Sequence, residues 1–242
     1  MVHTLPDYTS RYKMATVFSQ IDTGELAARL GSIDTFDRRG NVIWMDDFEA
    51  PVLHWTVEGK NTGYGCNLTT EHARTGTQSC KITAGAGSGG YAAIFRYIGV
   101  RITGKIGYEV SFTVNQDSKT IEIGFRYYDG TYYYLALAWY SPADKKFYYM
   151  KGDGSAGELL TGLELEDSLG TFHTAKIVID SNSKEYVRFL LDNRTVDLEG
   201  ESLYKVTDTT APCIYIGVLH RSDHADVKSI YVDDVIFTIN EP

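Results

Sequence analysis

From Val42 onward, short runs of alternating apolar and polar residues are divided by turn-forming residues, the period-2 pattern of half-buried β-strands. The runs predict strands at 42–48, 52–58, 65–71, 77–84, 91–99, 107–115, 119–128, 131–140, 145–150, 173–180, 185–192, 213–220 and 227–239. Glycine-rich stretches at 59–63 and 85–90 mark turns, and Asp129-Gly130 between two tyrosine-rich runs is a strong hairpin signal. Only residues 158–170 leave room for a further helical turn. So many strands without helices between them predict an all-β protein, an antiparallel two-sheet jelly-roll β-sandwich. No internal repeat or low-complexity linker divides it, so residues 46–242 are assigned to one domain.

Residues 1–45 read differently. Asp22-Thr-Gly-Glu25 has the form of a capping box, Leu26 and Leu30 follow one turn apart, and Gly31 is a ready stop. The reading is an N-terminal arm containing one short helix with extended flanks, and an arm of this length is expected to serve assembly or docking.

Composition narrows the function. The chain has 242 residues, 43% of them hydrophobic, which is enough for a substantial core. A net charge of −9 without any Lys/Arg run argues against nucleic acid as a partner. No apolar run is long enough for a transmembrane helix, and residues 1–19 lack the apolar stretch of a secretory signal. The three cysteines (Cys66, Cys80, Cys213) have no metal-ligand spacing. They read as free thiols in a reducing compartment, with a Cys66–Cys80 disulfide as the alternative. Asn67-Leu-Thr69 and Asn193-Arg-Thr195 fit glycosylation acceptors, which matter only on a secretory route.

Two acidic tags bracket the domain, Asp46-Asp47-Phe48-Glu49 and Val232-Asp233-Asp234-Val235. If first and last strands are neighbours, up to five carboxylates meet at one edge, and hydrogen bonds, water or a cation must take up their charge. The first tag, then Trp55, then the stretch from Thr69 through Gly76 to Ile82, together with the closing Tyr231-Val-Asp-Asp-Val235, resembles the opening and closing elements of jelly-roll carbohydrate-binding modules. The resemblance covers roughly the first forty and last ten residues of the sandwich. It implies a structural calcium where the first and last strands meet. The ligands would be Glu49, backbone carbonyls of Thr75 to Gln78, and Asp233 or Asp234.

Tyrosine is unusually frequent, at 18 residues beside 10 Phe and 3 Trp. Read strand by strand, alternation sends Ile121, Ile123, Phe125 and Tyr127 to the core, along with Tyr133, Leu135, Leu137 and Trp139. The opposite face then collects Glu122, Arg126, Tyr128, Tyr132, Tyr134 and Tyr140 as candidate ligand-binding residues, with Tyr148 adjoining. Rings with one Arg and one Glu in reach suit sugar stacking and hydroxyl recognition. The same composition also suits cover by the arm or by a neighbouring subunit.

Catalysis finds little support. Glu122 has no acidic partner at i+2 or i+4 on its strand, so a retaining-glycosidase pair is missing there. His220, Asp223, His224 and Asp226 cluster before the last strand and are read as a solvated polar turn in preference to a metal site. No Gly-x-Ser-x-Gly, His-Glu-x-x-His or phosphate-binding loop occurs.

The expectation is a non-enzymatic structural protein made in a host cytoplasm, docking through its arm as a homo-oligomer or onto other virion proteins. A capsid decoration or tail-associated role is the natural case. Glycan binding is compatible with it, and no membrane partner is expected. The alternative is a carbohydrate-binding module, secreted or extracellular, that stacks a polysaccharide on an aromatic sheet face.

Overall fold

In a computed structural model of the chain, the described residues are 39–99 and 102–242. The predicted helix and the predicted arm up to residue 38 lie outside them. Residues 39–242 form one unit. In chain order its strands are β1 (Asn41–Asp46), β2 (Thr56–Lys60), β3 (Gly65–Thr69), β4 (Ser79–Ala84), β5 (Gly90–Ile98), β6 (Lys105–Phe112), β7 (Thr120–Tyr128) and β8 (Tyr132–Ser141). They continue with β9 (Lys146–Met150), β10 (Ala156–Leu160), β11 (His173–Asp180), β12 (Glu185–Leu191), β13 (Arg194–Asp197), β14 (Tyr204–Thr207), β15 (Cys213–Ser222) and β16 (Lys228–Ile239). The described residues contain no helix; the stretch with room for one, 158–170, begins inside β10. The first strand, Asn41–Asp46, starts ahead of the domain boundary placed at residue 46.

The strands form two antiparallel sheets. The back sheet runs β13-β12-β11-β6-β16-β4-β3, with β1 also on β16; the front sheet runs β10-β9-β8-β7-β15-β5-β2, with β14 also on β8. First and last strands do pair, as the tags predicted: Asp46 lies opposite Val235, and Cys80 at the start of β4 lies opposite Val232. β1 and β4 therefore share one edge of β16 end to end. They meet where β16 carries a bulge between Asp233 and Ile236 and Asp234 has φ 45°.

The core lies between the sheets and follows the alternation. Ile121, Ile123 and Phe125 on β7 and Ile214, Ile216 and Val218 on β15 face Tyr108, Val110 and Phe112 on β6 and Val232, Val235 and Phe237 on β16, all fully buried. On β8 the buried set is Ala136, Ala138 and Tyr140.

One buried base sets a pH response. His220 Nε2 is 2.8 Å from Ser118 Oγ and Nδ1 is 3.3 Å from the Ile82 carbonyl, and burial pushes its pKa down from 6.5 to about 4. The unfolded chain takes up this proton near pH 6.5 while the fold refuses it until about 4. The neutral imidazole's contribution is therefore present above pH 6.5 and is lost as pH falls towards 4, by roughly 3 kcal/mol in total. Relative to the wild type, His220→Gln is expected to gain about that much between the two pH values. Denaturant melts at pH 7 and pH 4 measure it; identical pH dependence in both proteins contradicts the assignment.

Candidate functional site: a groove across the front sheet

The outer surface of the front sheet carries a groove of about 180 Å³. Its floor is made where two adjacent strands lack side chains and a third contributes an alanine nearby. Gly124 on β7 pairs with Gly217 on β15; on β5 Phe95 lies opposite Gly217, and Ala93, two residues further on, lies opposite Leu219. A Cβ on Gly124 would lie 2.5 Å from the Ala136 carbonyl oxygen, so the backbone there requires glycine. Leu135 and Leu137 of β8 form one wall; Tyr215 and Leu219 of β15 rise opposite.

The two ends differ. At one end Arg221 Nε meets Glu122 Oε1 at 2.5 Å, and Thr120 Oγ1 adds a 3.0 Å hydrogen bond to the same oxygen. The Arg221 guanidinium also lies 5.4 Å from the Tyr91 ring centre, and the Tyr91 hydroxyl donates to Glu58 at 2.8 Å. At the other end the Arg126 guanidinium lies between two rings, 5.0 Å from Tyr133 and 4.9 Å from Tyr215. The Tyr128 hydroxyl shares a hydrogen bond with it. Positions 122 and 126 are four strand residues apart, so the ends are separated by about 13 Å.

Aromatic surface continues beyond the groove. Phe95 stacks on Tyr215 at 5.1 Å, Tyr97 meets Tyr215 edge-on at 5.1 Å, and Trp139 stacks on Tyr148 at 5.6 Å. Tyr97 is an exposed residue, so this surface presents both ring faces and ring edges to solvent. Burial of the Tyr215 hydroxyl pushes its pKa up to about 12, so it stays a neutral donor and acceptor.

Of the six residues that alternation assigned to this face, Glu122 and Arg126 line the groove and Tyr128 flanks it. The other three, Tyr132, Tyr134 and Tyr140, lie on the opposite side of β8. Tyr140 is fully buried in the core, with its hydroxyl on the Leu163 carbonyl at 3.1 Å. Tyr134 packs against the core edge beneath Lys184, and Tyr132 lies under Lys205. The face of β8 that meets the groove is instead Tyr133, Leu135, Leu137 and Trp139, because Tyr133 pairs with Tyr128, Leu135 with Arg126 and Trp139 with Glu122. Directly paired residues point to the same side of a sheet.

The acidic tags form a hydrogen-bonded clasp. Glu49 Oε1 accepts from the backbone N–H of Thr77 at 2.7 Å and of Gln78 at 2.8 Å, and Oε2 from Thr77 Oγ1 at 2.7 Å. These bonds, that from Gln78 first, hold its carboxyl below the usual range. Gly76, at φ 65°, lets the loop approach, since a Cβ there would lie 2.3 Å from Glu49 Oε1.

Asp233 is fully buried and accepts from the N–H of Arg74 at 2.8 Å, of Thr75 at 3.2 Å and of Asp234 at 2.8 Å. Burial and the neighbouring Asp234 push it up to about 6 against those donors. Asp234 takes the Arg74 guanidinium at 2.8 Å and Thr75 Oγ1 at 2.8 Å; Asp46 takes the Trp55 indole N–H at 2.9 Å. A calcium site needs six to eight oxygen ligands, including turn carbonyls. Here the amides of residues 74, 75, 77 and 78 face the carboxylates, and a guanidinium occupies the remaining approach. Glu49, Asp233 and Asp234 do not fit a calcium ion in this arrangement, and no group of three or more metal-ligating side chains stands poised for one among the described residues.

The cluster before the last strand is likewise dispersed. His220 is in the core, while Asp223 accepts from the Gly89 N–H at 2.7 Å and pairs with Lys119. Cys66, Cys80 and Cys213 are free thiols, and burial pushes Cys66 up to about 12.

A groove on one face of a jelly-roll sandwich is the class of site that fold and geometry define. Residues 40–148 match the family model described as Carbohydrate binding domain (CBM_4_9), a span that includes Glu122, Arg126 and the β8 wall but ends before Tyr215. A search of curated proteins returns no match. Among solved structures, the chain is similar to an endo-β-1,4-glucuronan lyase from the fungus Trichoderma reesei, with 14% identity, 82% of this chain and 95% of that one covered, and a TM-score of 0.57. It is also similar to a carbohydrate-binding module of the β-sandwich superfamily, with 15% identity, 82% and 62% covered, and a TM-score of 0.45. A Bacillus licheniformis β-glucanase follows, with 14% identity, 84% and 99% covered, and a TM-score of 0.46. The first likeness shows the sandwich fold alone, and the other two add no argument to it.

Proposed function

We propose that residues 39–242 act as a carbohydrate-binding module, holding a polysaccharide chain along the groove of the front sheet. The observation that carries this reading is the groove itself. Its floor of Gly124, Gly217 and Ala93 admits a ring close to the sheet, while Tyr215, Leu135 and Leu137 offer apolar walls and Arg126, Glu122 and Arg221 offer hydroxyl partners. The family match over residues 40–148 supports it.

The groove lacks the carboxylate pair of a glycosidase among the described residues, which favours binding over hydrolysis. Among the described residues lining the groove Glu122 is the one carboxylate, and it is tied to Arg221. A glycosidase needs two carboxylates working in opposite protonation states. The virion role expected of the arm gains no support from the described residues or the family match.

Tyr215→Ala tests the reading. The ring lines the groove and holds Arg126, and aromatic anchors of this kind carry losses of about 2 kcal/mol or more, roughly 30-fold in affinity. In affinity electrophoresis across a panel of neutral and acidic polysaccharides, the wild type is expected to be retarded by at least one gel. Tyr215→Ala is expected to migrate freely in it with its melting temperature little changed. Equal retardation of the two proteins removes the groove from the account.

A further inference from the structure

The two arginines of the groove are unlike each other in one respect. Arg221 is neutralised by Glu122 at 2.5 Å, whereas Arg126 makes no ion pair with any described residue. Its partners are the faces of Tyr133 and Tyr215 and the Tyr128 hydroxyl. The two ring contacts hold the guanidinium but use none of its N–H donors. Arg126 is half-buried, so its charge is partly stripped of water; the Asp208 carboxylate feels that charge but forms no ion pair with it, which leaves the guanidinium fork without a carboxylate seated on it. A groove built only for neutral sugars would pair both cations, as it pairs Arg221. A planar anion presented along the groove completes the arrangement, because a carboxylate matches the guanidinium fork with two parallel hydrogen bonds.

We propose that the ligand is an acidic polysaccharide and that a uronate carboxylate of the chain seats on Arg126. The inference rests on the groove being a glycan site. Glu122–Arg221 then serves the neutral hydroxyls at the far end, and Tyr215 serves both functions, as a wall for the sugar ring and as a stop that holds the guanidinium. The chain's net charge of −9 disfavours polyanions at long range, so recognition of a uronate requires a placed local cation of this kind.

The test uses the full chain with a polyuronate and the same polymer after carboxyl reduction to its neutral form, measured by calorimetry or affinity electrophoresis. The wild type is expected to bind the polyuronate roughly 10- to 100-fold more tightly than the reduced polymer, the range for hydrogen bonds to a charged group. Arg126→Gln is expected to bind both forms alike, the readout being the ratio of the two affinities within each protein rather than the absolute level. Arg126→Lys, which keeps the charge but loses the fork, is expected to fall between and guards against misfolding of the first variant. Equal wild-type affinity for the two polymers overturns the inference, as does a preference that survives in Arg126→Gln. Tighter binding of a sulfated polymer than of the polyuronate overturns the carboxylate assignment. If the wild type binds neutral polysaccharides through Tyr215 but shows no acidic preference, only this inference falls. If it binds no polysaccharide at all, the groove reading falls with it.

Discussion

Replacing Tyr140 with alanine is expected to cost about 3–5 kcal/mol of folding stability, the range for emptying an aromatic core position. The side chain is fully buried, its ring lies 5.5 Å from Phe147, and its hydroxyl donates to the Leu163 carbonyl at 3.1 Å. Truncation leaves a cavity between the sheets and strips that carbonyl of its donor. Tyr140→Phe keeps the ring and should lose only the hydrogen bond, about 1 kcal/mol. Chemical denaturation of the two variants separates these costs. The contrast with Tyr215→Ala is the useful part: one tyrosine of the front sheet should govern stability and the other retention on polysaccharide. A Tyr140→Ala protein that melts like the wild type but loses its ligand would put the residue back on the groove face.

A loss of similar size is expected from Lys176→Met. Lys176, Glu109 and Glu241 are buried on the back sheet, with Lys176 Nζ 2.8 Å from Glu241 and 3.9 Å from Glu109. Lys176 also donates to the Arg39 carbonyl at 3.1 Å, and Arg188 grips the other Glu241 oxygen at 2.7 Å. Gly107 leaves the space for this, since a Cβ there would lie 2.8 Å from Glu241 Oε1. Removing Lys176 takes away the cation placed against both Glu241 and Glu109 while Arg188 still holds Glu241, and breaking a buried pair from one side costs about 3–5 kcal/mol. For a domain of this size that is a fall of roughly 10 °C in melting temperature. The double variant Lys176→Met/Glu241→Leu should recover part of the loss, because the two positions share one network. Strict additivity in a double-mutant cycle would show that the pair is not coupled.

Alternation and turn chemistry made the sandwich legible in the sequence, and the tags made the pairing of first and last strands legible. The face of β8 was not legible strand by strand. Both its faces are uncharged, so alternation alone left Tyr132 to Tyr140 free to face either way. The missing constraint was the hairpin. An even-membered loop around Asp129-Gly130 forces Tyr133 to the same side as Arg126 and Tyr128, and the observed pairing of Tyr128 with Tyr133 obeys it. Gly124 and Gly217 are not legible as a site for a related reason: a lone glycine in a strand reads as weakness until its partner across the sheet is known. At the clasp, the sequence placed the acidic tags where the first and last strands pair. Whether amides or carbonyls turn towards Glu49 and Asp233 depends on backbone orientation in the loop after β3, which residue types do not reveal.

The central claim, that a sugar chain lies along Gly124 and Gly217 on the front sheet, is tested most directly by methyl NMR during titration with an oligosaccharide of the retained polymer. Shifts are predicted at Leu135, Leu137 and Leu219, whose side chains line the groove, while Leu68 on β3 and Leu190 on β12 of the back sheet stay still. Perturbation confined to the back sheet, with the groove methyls unmoved at saturation, would contradict it.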